Sequence, residues 1–173
     1  MFKNTPLKGK KGNLTEGGIR VPLIFRYPNV IAENTITNQA VHCIDFLPTF
    51  AELVGVNVAK LKKKDGSKPK YDGASFTKVL TGKEKRISRE KLFWHLPGYM
   101  DERFSPSTLI QKRIENEYYK LFYFYETDAF EMYNITKDIS EKRNILENPT
   151  STEMKIGLKM NADMLAWLKI NKA

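Results

Sequence analysis

The sequence predicts an α+β fold, in which a small antiparallel sheet packs on a C-terminal helix and is preceded by a separate strand and helix. Three observations lead to this prediction. Aromatic and branched residues fill several short runs in the second half of the chain, with hairpin-like polar stretches between them. The last stretch carries apolar residues at helical spacing. The first half holds an apolar run and one well-punctuated helical segment.

The sheet prediction rests on four runs of strand-forming residues. KLFWHL precedes a Pro-Gly turn, and TLIQKRI, YYKLFYFYE and FEMYNI follow with only ENE and TDA between them. We therefore expect strands near 91–96, 108–114, 118–126 and 130–135. From Thr152 to Ile170 the apolar residues recur near helical spacing, which predicts an amphipathic helix that closes the unit.

The first half of the chain predicts one strand and one helix. IRVPLIFRY, from Ile19 to Tyr27, is typical of a buried strand, and Pro22 places it at an edge or a bulge. Asp45 before FLPTFAELV and Gly55 after it predict a helix, so we interpret Asp45 as a cap rather than a catalytic acid. A lone strand and helix cannot cover both faces of the strand. We therefore expect this half to lie at the edge of something larger.

Length and composition exclude several classes of protein. The 173 residues are enough for one domain with a core, and 41% hydrophobic with 28% charged residues is an ordinary globular balance. No apolar run approaches the length of a membrane span, and the polar, basic start does not resemble a signal peptide. The single cysteine, Cys43, excludes an internal disulfide and a multi-cysteine metal site, and we interpret it as a buried thiol.

The formal net charge of +9 favours anionic partners such as nucleic acid, acidic lipid or acidic polysaccharide. Much of the excess lies in one segment, which we interpret as a solvated loop. Its lysines are Lys60, Lys62, Lys63, Lys64, Lys68 and Lys70. No zinc-finger spacing, aromatic-rich sheet motif or heptad accompanies them, so nucleic acid is not an expected partner.

Six segments, in order along the chain, resemble type I sulfatases. GKKGNLTEGGIRVPLIFRYPNVI is similar to the second signature region of that family, and VHCIDFLPTFAELVGV and YDGASFTKVLTG resemble the segments that follow it. KLFWHLPGY, IENEYYKLFYF and FEMYNITKDISEKRNI resemble the family's C-terminal subdomain. Two departures are visible: Ile139 stands where the family usually has Pro, and Thr15 where Tyr is common.

The resemblance implies two domains and an incomplete catalytic site. Residues 1–83 would be the C-terminal remainder of the catalytic α/β domain, and 84–173 the antiparallel-sheet subdomain with its closing helix. The family's Cys/Ser-x-Pro-x-Arg nucleophile motif is absent, and Cys43, followed by Ile44 and Asp45, cannot replace it. The aspartates and the Asp-Asn or Asp-His pair of the metal site are also absent. We expect calcium ligands only on a preceding part of the intact enzyme, and we expect this chain alone to be catalytically incomplete.

Of the family's catalytic groups, one position matches. Lys11 aligns with the lysine that contacts the substrate sulfate, and an ammonium group there would stabilise developing negative charge. Lys10 is the alternative if the loop register slips by one residue. Without the resemblance, Lys11 would be interpreted as a solvated loop lysine. We interpret Glu16 and Arg20 as charges that brace the loop rather than as substrate contacts.

Two further residues are candidates for substrate binding. His95 ends a predicted strand that borders the substrate pocket in the family, and Tyr99 follows it after a Pro-Gly turn. His42 lies in an apolar stretch and is interpreted as a satisfied core residue.

By the same resemblance, the substrate of the intact protein would be a sulfated carbohydrate, and the protein would be exported to the periplasm or the exterior. The missing N-terminal part would be its partner. Two alternatives stay open: a non-catalytic remnant that binds acidic glycans through its basic surface, and part of a related phosphodiesterase or phosphonate hydrolase. The ordered run of sulfatase segments disfavours the latter.

Overall fold

A computed structural model describes residues 4–99 and 105–173 of the chain. It divides into two compact units. One unit consists of Met1–Pro22 and Glu90–Ala173, and the other of Leu23–Arg89. Residues 4–22 therefore fold with the C-terminal sheet. The domain boundary expected between residues 83 and 84 stays a prediction.

The first unit is built on a four-stranded antiparallel sheet, as the sequence predicts. Its strands are β1 (Lys91–Leu96), β2 (Ser107–Ile114), β3 (Glu117–Phe124) and β4 (Ala129–Asn134), and they lie side by side in chain order. Across the sheet Phe93 lies opposite Ile110, Ile110 opposite Leu121, and Leu121 opposite Met132. Glu115 adopts a φ of 54° in the tight turn between β2 and β3, where hairpins require the left-handed region.

One face of the sheet is covered by the predicted C-terminal helix, α4 (Ser151–Asn171). The helix begins with a capping box between Thr150 and Glu153, and it buries Met160 and Met164 against the sheet. The core on this side also contains Ile110, Tyr119, Leu121, Met132 and Ile145. Alternate side chains of each strand point to this face, so even the imperfect alternation of apolar residues in β3 was enough to predict that strand.

The opposite face of the sheet is covered in part by the N-terminal segment. Its apolar centre consists of Leu109, Phe122, Tyr133 and Ile135, against which Leu14 and Ile19 pack. The segment contains a one-turn helix, α1 (Glu16–Ile19), which the sequence did not predict.

The second unit holds α2 (Phe46–Leu53) and α3 (Thr77–Leu80), with 3-10 turns at Cys43–Asp45 and Val58–Lys60. Four phenylalanine rings form its aromatic cluster, with centroids between 5.2 and 6.5 Å apart: Phe25, Phe46, Phe50 and Phe76. The predicted helix after Asp45 is confirmed. None of the described helices has the length and apolar content needed to cross a membrane.

The strand expected over Ile19–Tyr27 is wrong for this chain. Ile19 ends α1, and the residues from Arg20 to Tyr27 have no regular structure. Val21 is 73% exposed and Ile24 is 89% exposed, so the apolar side chains are not buried. A strand needs a neighbour for its backbone N–H and C=O groups, and no described segment pairs with this one. The apolar pattern alone therefore did not predict the structure of this segment, because the pattern does not report whether a pairing neighbour is present.

Candidate functional site: the lysine loop

Residues 8–20, here called the lysine loop, form a closed turn on the sheet. The Gly17 N–H donates to the Lys8 carbonyl at 2.7 Å, and the Thr15 hydroxyl donates to the same carbonyl at 2.8 Å. A Cβ on Gly17 would lie 2.4 Å from the Gly9 carbonyl oxygen, so only glycine permits this approach. The base of the loop is therefore fixed by backbone geometry.

The tip of the loop carries the two candidate catalytic lysines. The Asn13 N–H donates to the Lys10 carbonyl at 3.0 Å, and the Lys10 N–H donates to Asn13 Oδ1 at 3.1 Å. A Cβ on Gly18 would lie 2.0 Å from the Asn13 carbonyl oxygen, so the absence of a side chain at Gly18 lets α1 approach the tip this closely. Lys10 is half-buried and Lys11 is exposed. Lys11 is thus an exposed ammonium group on a backbone that its neighbours hold in place, and no ion pair joins it to the described residues.

A buried charge network, defined here as Glu16, Lys120 and Glu141 with the outer Arg20, anchors the loop. Lys120 in β3 lies 2.6 Å from Glu16 Oε1 and 3.0 Å from Glu141 Oε1. The Glu16 N–H donates to Glu141 Oε2 at 2.7 Å, and Arg20 pairs with the second oxygen of Glu16. Lys120 is fully buried, and the two carboxylates are at most 2% exposed. The prediction that Glu16 and Arg20 brace the loop agrees with these contacts.

The two carboxyl groups of the network titrate differently. Burial favours the neutral form of Glu16, but Lys120 and Arg20 outweigh it and lower the pKa of Glu16 below its ordinary value of 4.5. Burial raises the pKa of Glu141 above 4.5, although Lys120 opposes that change. Glu16 is therefore the carboxylate that holds its charge most firmly, and it is the one attached to the loop.

A second contact joins the start of the loop to β4. Lys8 Nζ donates to the Tyr133 hydroxyl at 3.1 Å and lies 4.9 Å from the centre of its ring. The Tyr133 hydroxyl donates in turn to Glu131 at 2.7 Å. Burial, followed by this bond to Glu131, raises the pKa of Tyr133 above its ordinary value of 10.0. Both ends of the lysine loop are thus tied to the sheet.

His95 lies on the other face of the sheet, where α4 packs. Its Nδ1 is 2.8 Å from the Thr108 hydroxyl and 3.4 Å from the Tyr125 hydroxyl, and its ring centre is 6.3 Å from that of Trp167 in α4. The neighbouring Trp94 instead packs on the core that Leu14 and Ile19 share. The structure therefore does not bring the His95 side chain to the face of the lysine loop. Its role in substrate binding stays a prediction.

Tyr99 is 62% exposed, and its hydroxyl donates to Glu126. This bond raises the pKa of Tyr99 above 10.0. A tyrosine in this position could contact a ligand from solvent, but the residues that follow it, 100–104, lie outside the described part of the chain. Its role also stays a prediction.

The segment around Cys43 differs from one expectation and agrees with another. Cys43 is exposed, not buried as expected. It lies on a 3-10 turn, and its Sγ is 3.5 Å from His42 Nδ1. Asp45 is fully buried and accepts the N–H groups of His42 and Ala74 at 2.8 and 2.9 Å. It also pairs with Arg89. Asp45 precedes α2, as predicted, but the prediction that its side chain caps this helix is wrong, because its carboxylate bonds these groups rather than the N–H groups of α2.

The described residues do not offer a calcium site. They contain no group of three or more His, Cys, Asp or Glu side chains placed to hold a metal ion. The buried network has only two carboxylates, and both are already engaged with Lys120. A divalent cation would not fit beside that ammonium group.

The arrangement of sheet, covering helix and lysine loop defines the C-terminal part of a sulfatase. Residues 10–167 match the family model described as N-sulphoglucosamine sulphohydrolase, C-terminal. The chain belongs to that family of sulfatase C-terminal domains.

The relatives and the fold agree with this assignment. A sulfatase of Formosa agariphila is 45% identical, over 98% of this chain and 31% of its own length. An N-acetylglucosamine-6-O-sulfatase of Bacteroides thetaiotaomicron is 32% identical, over 73% of this chain and 21% of its own length. A solved sulfatase structure from the latter organism superposes with a TM-score of 0.52 at 22% identity, over 74% of this chain and 24% of that one. The chain thus spans less than a third of the length of these curated relatives.

Sequence reasoning missed two residues of the site, Lys120 and Glu141. Lys120 lies in the aromatic run YYKLFYFY, where a single lysine on a strand is ordinarily solvated. Glu16 and Glu141 are 125 residues apart, and no local pattern relates them. A lysine at the centre of a run of apolar strand residues was the one available indication of a buried charge.

Proposed function

We propose that the protein containing this chain hydrolyses sulfate esters of carbohydrates, and that Lys11 binds the sulfate group during the reaction. The observation that carries the proposal is the position of Lys11 at the tip of a loop whose base and tip are both fixed. A mobile surface lysine would lose side-chain and loop freedom on binding an anion. The loop here has already been ordered by the fold, so only the lysine side chain remains to be placed.

Hydrolysis of a sulfate ester breaks the bond between sulfur and the alkoxide oxygen. It needs a nucleophile, a cation beside the sulfate oxygens and a proton for the departing alkoxide. Lys11 would supply the second requirement, because its ammonium group would stabilise the charge that gathers on the sulfate oxygens. Calcium, when bound, would polarise the sulfate, with ligands outside the described residues. The nucleophile would likewise come from the preceding part of the protein.

The substrate class rests on chemistry and on the relatives. The family description names N-sulphoglucosamine, and one relative is named for N-acetylglucosamine-6-O-sulfate. The net charge of +9 would attract a polyanionic saccharide and increase its local concentration. We propose a sulfated carbohydrate as the substrate. We also propose that the protein is exported to the periplasm or the exterior, where it would encounter such polymers.

The preceding part of the protein is the proposed partner of the segment from Arg20 to Tyr27. That segment has the composition of a strand, lacks a pairing neighbour among the described residues and exposes Val21 and Ile24. The curated relatives are more than three times longer than their matched regions. We propose that the segment becomes a paired strand in the whole protein.

The basic surface also supports a second candidate, the binding of acidic glycans without turnover. Three lysines of the basic segment from Lys60 to Lys70 are exposed and have no ion pair with the described residues: Lys62, Lys63 and Lys64. The two candidates differ in one measurable respect. An enzyme releases free sulfate, whereas a binding module retains the sulfated glycan unchanged.

The test of the proposal is a kinetic comparison in the complete sulfatase polypeptide. Lys11→Ala should lower kcat/KM for a sulfated saccharide about a hundredfold or more, the usual effect of removing one group that stabilises transition-state charge. Lys155→Ala, on the exposed side of α4, is the matched control and should leave the rate unchanged. The melting temperatures of both variants should stay near the parent value, since exposed lysines contribute little to stability. If Lys11→Ala turns over at the parent rate, the assignment of Lys11 is wrong and Lys10→Ala is the next variant to compare.

A further inference from the structure

Holding a loop with the buried charge network carries a large free-energy cost of desolvation. A lysine at the centre of a sheet loses its hydration, and burying two carboxylates beside it adds to that cost. Apolar residues of similar volume would pack the same space at least as stably. Stability alone therefore does not account for Glu16, Lys120 and Glu141 together.

Two features indicate that the network specifies geometry. Each of its charged groups is bonded to a different part of the unit, since Glu16 belongs to α1, Lys120 to β3 and Glu141 to the turn after β4. Glu141 also adopts a φ of 51°, a left-handed conformation that a side chain rarely accepts. In this conformation the Glu141 carboxylate accepts hydrogen bonds from both the Lys120 ammonium group and the Glu16 N–H. Strain retained at such a point is typical of a functional constraint.

The network connects directly to the tip of the lysine loop. Lys120 Nζ also donates to the Leu14 carbonyl at 3.3 Å, one residue from Asn13, whose side chain and backbone both bond Lys10. A rotation of α1 would press Gly18 into the Asn13 carbonyl, because the two are already in contact. Movement of Glu16 would therefore move Lys10 and Lys11.

We infer that Lys120 and Glu141 are positioning residues for the sulfate-binding lysine. They fix the position of the Lys11 backbone through their bonds to Glu16, and neither of them touches the substrate. The inference rests on the proposed function of Lys11. It also means that the C-terminal sheet, and not only the loop that bears the lysine, sets the geometry of the reaction.

The test is a double-mutant cycle in the complete sulfatase polypeptide. Glu141→Gln keeps the size of the side chain and an acceptor for the Glu16 N–H, but it removes one of the two negative charges that Lys120 pairs with. It should lower kcat by about tenfold to a hundredfold with little change in KM, the effect of misplacing a group by a fraction of an ångström to an ångström. In a Lys11→Ala background, Glu141→Gln should have almost no further effect, because the group that it positions is gone.

A matched control separates positioning from general loss of stability. Lys112 is a second buried lysine, 5% exposed in β2, and it pairs with Asp163 on the opposite face of the sheet. Lys112→Met should lower the melting temperature, yet its effect on kcat should be small and additive with Lys11→Ala. Lys120→Met, if it folds, should behave as Glu141→Gln does.

A structural measurement on the 173-residue chain completes the test. Hydrogen exchange at the amides of Glu16, Gly17 and Asn13 should become faster in Glu141→Gln, while the amides of α4 keep the parent rate. Three results would overturn the inference. The first is unchanged amide exchange in the loop of Glu141→Gln, and the second is an equal loss of kcat from Glu141→Gln with and without Lys11. The third is an effect of Lys112→Met on kcat that also disappears in the Lys11→Ala background. A parent-like rate for Lys11→Ala alone would instead refute the proposed function, and the inference with it.

Discussion

At the scale of single residues, buried charges bond to one another in both units: Asp45 with Arg89 in one, and Lys120 with two glutamates in the other. Asp45 precedes a helix with a proline in its first turn, and this pattern correctly predicted the helix but not the bonds of the Asp45 side chain. Lys11 could be singled out only through the resemblance of GKKGNLTEGGIR to sulfatases, because one exposed lysine resembles any other. The partners of Glu16 could not be predicted, since tertiary pairing of Glu16 with Lys120 leaves no local pattern.

Replacement of Asp45 should unfold the unit formed by Leu23–Arg89. Asp45→Ala removes the acceptor for His42 and Ala74 and leaves the Arg89 guanidinium, 15% exposed, without its partner. Breaking a buried pair in this way typically costs about 3 to 5 kcal/mol. Hydrogen exchange followed by mass spectrometry should show lost protection over residues 42–89 and parent protection over β2 and β3.

The matched variant is Asp65→Ala. Asp65 is an exposed aspartate of the same unit, and among the described residues its carboxylate bonds Ser67. It should exchange as the parent does. Equal exchange for Asp45→Ala and the parent would show that the buried carboxylate contributes little to this unit.

At the scale of elements, the sheet and α4 were predictable, and the first strand was not. The four strands fall within two residues of the expected bounds, because hairpin pairing between neighbours in sequence is a local property. The segment from Ile19 to Tyr27 has an equally clear apolar pattern. It does not form a strand because no described segment pairs with it, and sequence periodicity does not report whether a partner is present.

Gly157 in α4 offers a direct check of helix packing. It is buried, yet a Cβ there would lie 3.5 Å from Leu146 Cδ2 and 3.6 Å from the Met132 sulfur, which is ordinary contact. Gly157→Ala should therefore stabilise the protein by about 0.5–1 kcal/mol, since alanine is the better helix former. Urea unfolding measures the change, and Lys159→Ala on the exposed side should change stability by only about 0.3 kcal/mol. A loss of stability in Gly157→Ala would mean that α4 lies closer to the sheet than described here.

The contact between α4 and the sheet should also depend on pH. Burial opposes the charge of Asp163, but its hydrogen bonds to Lys112 and Lys91 outweigh burial and hold its pKa below the ordinary value of 3.8. A carboxyl group whose pKa is lower in the folded state stabilises the fold above its unfolded pKa, and this contribution disappears as the pH falls through the folded pKa.

The expected result is a pH-dependent difference between the parent and Asp163→Asn. Unfolding free energies measured in urea should differ most above pH 3.8 and converge at lower pH. The exposed pair of Lys78 and Glu84 provides the control, because Glu84→Gln should shift stability only slightly at any pH. A constant difference between the parent and Asp163→Asn would exclude charge as the cause.

At the scale of the whole molecule, the chain forms two compact units and spans less than a third of the length of the curated relatives it matches. The N-terminal loop is ordered by the sheet, and the unit Leu23–Arg89 has its own aromatic core and buried ion pair. The same chain exposes Val21, Ile24, Ile36, Phe50 and Val54. If the proposed preceding part of the protein packs on this chain, we expect it to cover these apolar side chains.

This account predicts a difference in protection between the chain and the complete protein. In the 173-residue chain, the amides of residues 21, 23 and 24 should exchange at close to the unprotected rate, because no described segment bonds them. In the complete polypeptide they should be protected by strand pairing. Protection of these amides in the chain alone would show that the segment finds a partner here, and fast exchange in both forms would refute its pairing in the whole protein.

The most direct test of the central claim measures sulfate released from a sulfated saccharide by the 173-residue chain and by the complete polypeptide, both with calcium present. The account predicts release at the level of the buffer blank for the chain, since the nucleophile motif is absent from its sequence, and sustained turnover for the complete polypeptide. Turnover by the chain that survives repurification would contradict the claim, and so would a complete polypeptide that binds the saccharide but releases no sulfate.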